Sequence, residues 1–438
     1  MKQLLMSGIR VAPSLTATRY MYIDGGHFAE NTVGFRENVI NEAGTLAYLR
    51  ADVATAPGAG KSWTYTVMVN GVASALTCQI AESATTAEDT THSVAISQFD
   101  RLSIRIVPAG TPASTLMRFA TQFDSTPVQM AVWGSGSQNA PSAAAVNYHL
   151  IGGAGDGPWD ATVTNRDPVW NITATIKTFY VLLSAAPAAG KSFTFKIMKN
   201  GSAEASSAIT ISDANTTANV TGLSISIAPG DKLAIESTPT GTPTAGYARW
   251  GISYQVADPG AYNISGYENA IPSAGTTFMF PNPNVQDAPD TTETNRLVMG
   301  GAAVGARAYT LASMWIDQSV APGVGTSRTY TIRRNSTTQA SVTVANTATT
   351  ASDTFAVDIV GGDTLGVMIT VSGSPAASIG RWAIAVGVDR PPGGGGGGGG
   401  GGGSSSPSIP ATNVVFTGKA YPRSTVTLLK DAQVAATT

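Results

Sequence analysis

One run of sequence occurs three times, and the distance between its occurrences sets the size of the unit this chain can fold into. APGAGKSWTY from Ala56 leads to Asn70–Gly71, APAAGKSFTF from Ala186 leads to Asn200–Gly201, and APGVGTSRTY from Ala321 leads to Asn335–Ser336. Other markers keep the same period. Asp100 returns as Asp231 and Asp363, Gly110 as Gly241 and Gly373, and Arg118–Phe119 as Arg249–Trp250 and Arg381–Trp382. Arg36, Arg166 and Arg296 recur in the same way. Solenoid units repeat every 20–50 residues or so. The longer period here marks a whole domain copied three times, with boundaries predicted at 13–138, 139–258 and 259–390 after an N-terminal segment 1–12.

Within each copy, apolar residues alternate at the period of a β-strand. Trp63, Tyr65, Val67 and Val69 share one face, and Phe193, Phe195 and Ile197 repeat it, as do Tyr330 and Ile332. Asn–Gly then marks a tight hairpin, because both central residues of a type I′ turn need positive φ. Later strands carry Leu76, Cys78 and Ile80, then Val94 and Ile96, then Leu102 and Ile104. No segment sustains a helical period. About eight short strands per copy, each with one apolar face, require a second sheet to cover that face. The predicted class is all-β: three tandem jelly-roll-like antiparallel β-sandwiches, favoured by strand count over a seven-strand immunoglobulin fold.

Charge narrows the partners. Lys+Arg 26 against Asp+Glu 28 gives a net charge of −2, and only 12% of residues are charged. A nucleic-acid surface needs clustered Lys and Arg, so no nucleic acid partner is expected. No apolar run reaches the ~18 residues that span a bilayer, and no direct membrane insertion is expected. A single Cys precludes an intrachain disulfide framework. The apolar stretch Leu4–Met6 is shorter than the ~7 residues of a secretory signal. No recognisable signal peptide is therefore read.

After the third copy, Pro391–Pro392 and the glycines Gly393–Gly403 open a Pro/Gly/Ser linker, 391–412, whose composition predicts a flexible coil. The segment 413–438 is strand-like again but short. Its Gly418, Ala420, Pro422, Ser424, Val426, Thr427 and Lys430–Asp431 resemble the opening strands of bacterial immunoglobulin-like domains of cell-surface proteins. The resemblance implies a partial, truncated immunoglobulin-like domain. The three large copies resemble β-sandwich repeats of phage virion, tail-associated and bacterial surface proteins. They do so through APGxGKSxT(Y/F)T…NG and R(F/W), with Thr326 and Ser336 departing in the third copy. That resemblance implies an exposed, non-catalytic role and names no ligand.

Gly60–Lys61–Ser62 suggests a phosphate loop, but Thr55 and Ala185 stand where the first Gly belongs, and a strand follows instead of a helix. Cys78 aligns with Ile209 and Val342 and reads as a small buried hydrophobe. His92 aligns with Leu223 and Phe355 and reads as inward-facing or at a sheet rim. His27 and His149 lack partners at ligand spacing. Acidic loops at Asp156, Asp160 and Asp167 and at Asp287, Asp290 and Glu293 offer oxygens to calcium or simply solvated carboxylates. Trp159, Trp170 and Tyr262 fit either a sugar-stacking platform or the core. The candidate ligand-binding residues are Arg118, Arg249, Trp250, Arg381 and Trp382. Arg–aromatic pairs are enriched at recognition surfaces, although a stacked or salt-bridged arginine required by the fold accounts for the same pattern.

The expected function is that of a non-catalytic, surface-exposed structural or adhesion protein, a phage virion appendage or a bacterial cell-surface protein. The alternative is a multivalent carbohydrate-binding array. The expected partners are cell-surface glycans or other virion or envelope proteins, the expected location is extracellular, no cofactor is called for, and an oligomer is compatible with both readings.

Overall fold

The computed structural model describes residues 2–25, 29–125, 129–136, 139–154, 157–244, 246–258, 260–282, 289–303, 308–388, 427–430 and 433–437. Met1–Pro392 forms one compact unit and Gly393–Thr438 a second. In the second unit Thr427–Lys430 pairs antiparallel with Gln433–Thr437. The linker 391–412 lies outside the described residues, as does most of the segment resembling an immunoglobulin-like domain.

The first unit is three jelly rolls. In the first, eight main strands follow in chain order: Lys2–Gly8, Arg19–Met21, Gly44–Val53, Gly58–Val69, Val72–Glu82, Thr86–Ile96, Arg101–Ala109 and Met117–Ser125. The first, eighth, third and sixth form one sheet, and the second, seventh, fourth and fifth form the other. That interleaving is the double Greek key of a jelly roll. The third copy repeats it with sheets opening on Tyr262–Glu268 and Thr276–Met279, and the second with sheets opening on Gln129–Ser135 and Asn147–Leu150.

The first two sandwiches therefore begin earlier in the chain than the boundaries 13 and 139 allow, while the third opens at Tyr262, within 259–390. Lys2–Gly8, read as an N-terminal segment, pairs along its whole length with Met117–Ser125. Gln129–Ser135, assigned to the first copy, pairs with Ala248–Val256 of the second. The opening strands KQLLMSG, QMAVWGS and YNISGYE share no sequence marker, so the repeat became legible only beyond them.

The repeated markers have local causes. Asn70, Asn200 and Asn335 take positive φ in their hairpins. Each then donates its amide across to the aspartate of the next turn, Asp100, Asp231 or Asp363, at 2.7, 2.7 and 2.6 Å. The leucine two residues after each aspartate, Leu102, Leu233 or Leu365, is buried. The third copy departs from the pattern in its core. Arg328 stands at the place of Trp63 and Phe193, fully buried, with its guanidinium donating to the Pro272 and Ala376 carbonyls and to Gln318 Oε1.

The three sandwiches close into a ring. The opening strand of each turns one face to its own core and the other to the preceding copy. Ala131 and Trp133 join the apolar cluster of the first copy. Asn263 Oδ1 accepts the Asn171 N–H of the second at 2.9 Å. Leu4 and Met6 of the first copy join the cluster shared with the third. Asn41, just past the short strand Asn38–Val39, and its counterpart Asn171 each reach forward to the following copy. Asn41 Nδ2 donates to Thr178 Oγ1 and the Gly251 carbonyl of the second copy, and Asn171 Nδ2 to Ser313 Oγ and the Ala383 carbonyl of the third. Ala303 N–H returns to the Tyr48 carbonyl of the first at 3.0 Å. Such head-to-tail contacts generate either an open filament or a closed ring; here the third contact closes it within one chain.

Candidate functional site

The recurring arginines lie in the seams of this ring. Arg249 reaches back to the first copy, donating to the Gly34 carbonyl and pairing with Glu37 at 3.2 Å. Arg381 reaches back to the second, donating through Nε to Asp167 at 2.8 Å and through Nη2 to the Thr164 carbonyl at 2.6 Å; its Nη1 bonds Asp317 of its own copy at 2.8 Å. Arg118 has Leu297 at the position that Glu37 and Asp167 hold for the other two. It turns instead to Asp52 of its own copy, with Nε–Oδ1 2.7 Å. Each arginine thus has an acid, which Arg249 and Arg381 take from equivalent positions of the preceding copy and Arg118 from its own.

The aromatic partners point inward. Trp250 Nε1 donates to the Ile151 carbonyl at 2.8 Å and Trp382 Nε1 to the Pro281 carbonyl at 3.0 Å, both buried. The opposing strand must make room for them. A Cβ on Gly134 would overlap the Trp250 ring, and one on Gly266 the Trp382 ring. Opposite the smaller Phe119 the first copy has Ser7. A ligand-facing reading of Trp250, Arg381 and Trp382 therefore does not fit their burial, since they join and fill the copies; Arg249 also joins a seam, beside an open groove.

The remaining candidates resolve similarly. Trp159, Trp170 and Tyr262 are buried and offer no stacking platform. Lys61 lies within the strand Gly58–Val69. Cys78 is buried, and burial pushes its thiol up to about 12. His92 is not inward: its side chain is 56% exposed, beside an Asp89 that accepts the Thr77, Thr91 and His92 N–H groups. These hydrogen bonds hold the Asp89 carboxyl down at about 2 despite its desolvation. Asp160 and Asp290 accept the Thr162 and Thr292 N–H groups at 2.8 Å and bond Asn165 and Asn295. They are turn-closing acids that also stand 3.7 and 3.5 Å from Arg166 and Arg296. Among the described residues no group of three or more His, Cys, Asp or Glu could hold a metal. Asp156, Asp287 and His27 lie outside them.

Two features appear only in the folded ring. A cavity of about 30 Å³, the size of one water molecule, lies where the copies meet, lined by Met6 and Asp24, Val132 and Trp170, and Tyr262 and Asn282. Asp24 Oδ1 accepts the Met6 N–H at 3.1 Å, and burial raises its carboxyl to about 6. The second is a groove of about 490 Å³ in the first seam, lined from the first copy by Glu37, Asn70 and Arg101 and from the second by Leu182, Tyr247 and Arg249. No protein-family model matches the chain, and neither does any curated protein.

Proposed function

We propose that this chain is a non-catalytic structural or adhesive module displayed outside the cell, on a phage particle or a bacterial envelope. One observation carries the reading: three jelly rolls close head to tail into a single ring, and the residues that recur among them serve its seams and turns. The sheets support it through cross-strand hydroxyl pairs, Thr66–Thr77, Thr194–Thr210 and Thr329–Thr343, at 3.0, 2.9 and 2.8 Å. Such pairs stiffen a sheet without surface charge. A rigid ring offers three sets of loops at fixed spacing, an arrangement suited to multivalent attachment.

The test is immunogold electron microscopy with antibody raised against the purified ring. Labelling of intact particles or unpermeabilised cells agrees with the proposal; label confined to the interior of lysed cells contradicts it. The carbohydrate-binding alternative gains a specific observation from the open groove in the first seam.

A further inference from the structure

The three seams use equivalent positions for their charges, and two of them balance. In the second seam Arg381 and Lys232 face Asp167 and Asp317, with Lys232 Nζ 3.6 Å from Asp317. In the third, Leu297 and Thr364 fill the positions of Asp167 and Lys232, and Arg118 faces Asp52. In the first, Arg249 and Arg101 both face Glu37, at 3.2 and 3.4 Å, because Leu182 stands where the other copies have Asp52 and Asp317. Asp100 beside Arg101 is engaged within its own turn. Its two oxygens accept Asn70 Nδ2 at 2.7 Å and the Ser97 N–H at 2.8 Å within the turn.

Donors are therefore in excess at this seam. Arg249 is 4% exposed, and its Nε is buried with no hydrogen-bond partner; Arg101 Nε is likewise buried and makes no hydrogen bond. The groove opens at this place and includes Leu182 in its wall. Its volume falls in the range of small-molecule sites, about 300–1,000 Å³. Guanidinium groups in a fixed fork favour a planar carboxylate. The hydroxyls of Ser184 and Thr216 and the phenol of Tyr247 line the remainder, polar groups suited to a hydroxylated ligand.

We propose that the first-seam groove binds an acidic sugar unit, whose carboxylate supplies the negative charge that Leu182 leaves out and meets Arg101 and Arg249. The proposal goes beyond the structural role and does not depend on it.

The experiment is titration of the full chain with D-glucuronate and, separately, D-glucose, followed by saturation-transfer NMR. Glucuronate should bind saturably and glucose should not. Arg101→Ala should weaken glucuronate at least tenfold. Leu182→Asp, which installs the carboxylate of the other copies, should do the same while retaining a cooperative melting transition. Lys232→Ala, the equivalent change in the second seam, should leave binding unchanged. Three results overturn the proposal: no saturable glucuronate signal, an equal response to glucose, or binding that survives Arg101→Ala. Should Leu182→Asp fail to fold, the part-exposed Arg101 still decides the matter.

Discussion

Arg381 Nε lies 2.8 Å from the carboxylate of Asp167, a residue 214 positions earlier in the chain and in the neighbouring jelly roll. Both side chains are buried, and Asp317 shares the same guanidinium. Removing one partner of a buried pair leaves an uncompensated charge and costs about 3–5 kcal/mol. Arg381→Met should cost that much in chemical denaturation. Arg118→Met should cost distinctly less, since Arg118 pairs within one copy and is more exposed. Equal losses would show that the seam pair has no special weight.

Gly266 tests the packing of the same strand pair. Gly266→Ala should lose roughly 1–3 kcal/mol or more through overpacking against Trp382. Trp382→Phe, which reproduces the Phe119 of the first copy, should relieve it. The double variant should then be more stable than the sum of the single losses predicts, as a denaturation cycle would read.

The pH dependence of stability has two opposed parts. Asp24 is raised to about 6, so its contribution is full below about pH 4 and is lost as pH rises through about 6. His149, held neutral by burial and then by Arg166, is lowered to about 4. Its contribution is full above about pH 6.5 and is lost as pH falls towards 4. At about 1.4 kcal/mol per pH unit, each amounts to something on the order of 3 kcal/mol, and across pH 4–6 they offset one another. Asp24→Asn, matching Asn282 of the third copy, should make stability fall on acidification. His149→Met, matching Met21 and Met279, should make it rise. Melting temperatures in a pH series decide whether the slopes diverge in these directions.

Cys78 lies on the inner face of its strand. Cys78→Val, the residue at the equivalent position 342, should change stability by under about 1.5 kcal/mol. Thiol reagents should label the native chain far more slowly than the unfolded one, and comparable rates would place the thiol at the surface.

The strands and their inward faces were legible because each copy repeats them locally. Leu102, Leu233 and Leu365 are buried as alternation requires, and the Asn–Gly turns take the φ their residues favour. The ring was not legible. Its seam arginines Arg249 and Arg381 reach residues more than 200 positions away, and the acid of the recurring arginine changes from Glu37 to Asp167 to Asp52, with Leu297 at the matching position of the third copy, which removes the marker that repetition would give. Nor could alternation tell that the second face of Leu4 and Met6 is buried against another copy. The inward alternative for His92 rests on its apolar aligned residues, whereas its exposed ring and its N–H meet Asp89.

Closure of the ring rests most directly on the contact between its last and first members, where the Ala303 N–H meets the Tyr48 carbonyl at 3.0 Å. In a Cys78→Val background, Tyr48→Cys and Ala303→Cys together should form an intrachain disulfide on mild oxidation. The product should be a monomer of altered mobility on a non-reducing gel, at dilute protein. Cross-linking only between molecules, or none at all, would mean that the three jelly rolls do not close on themselves.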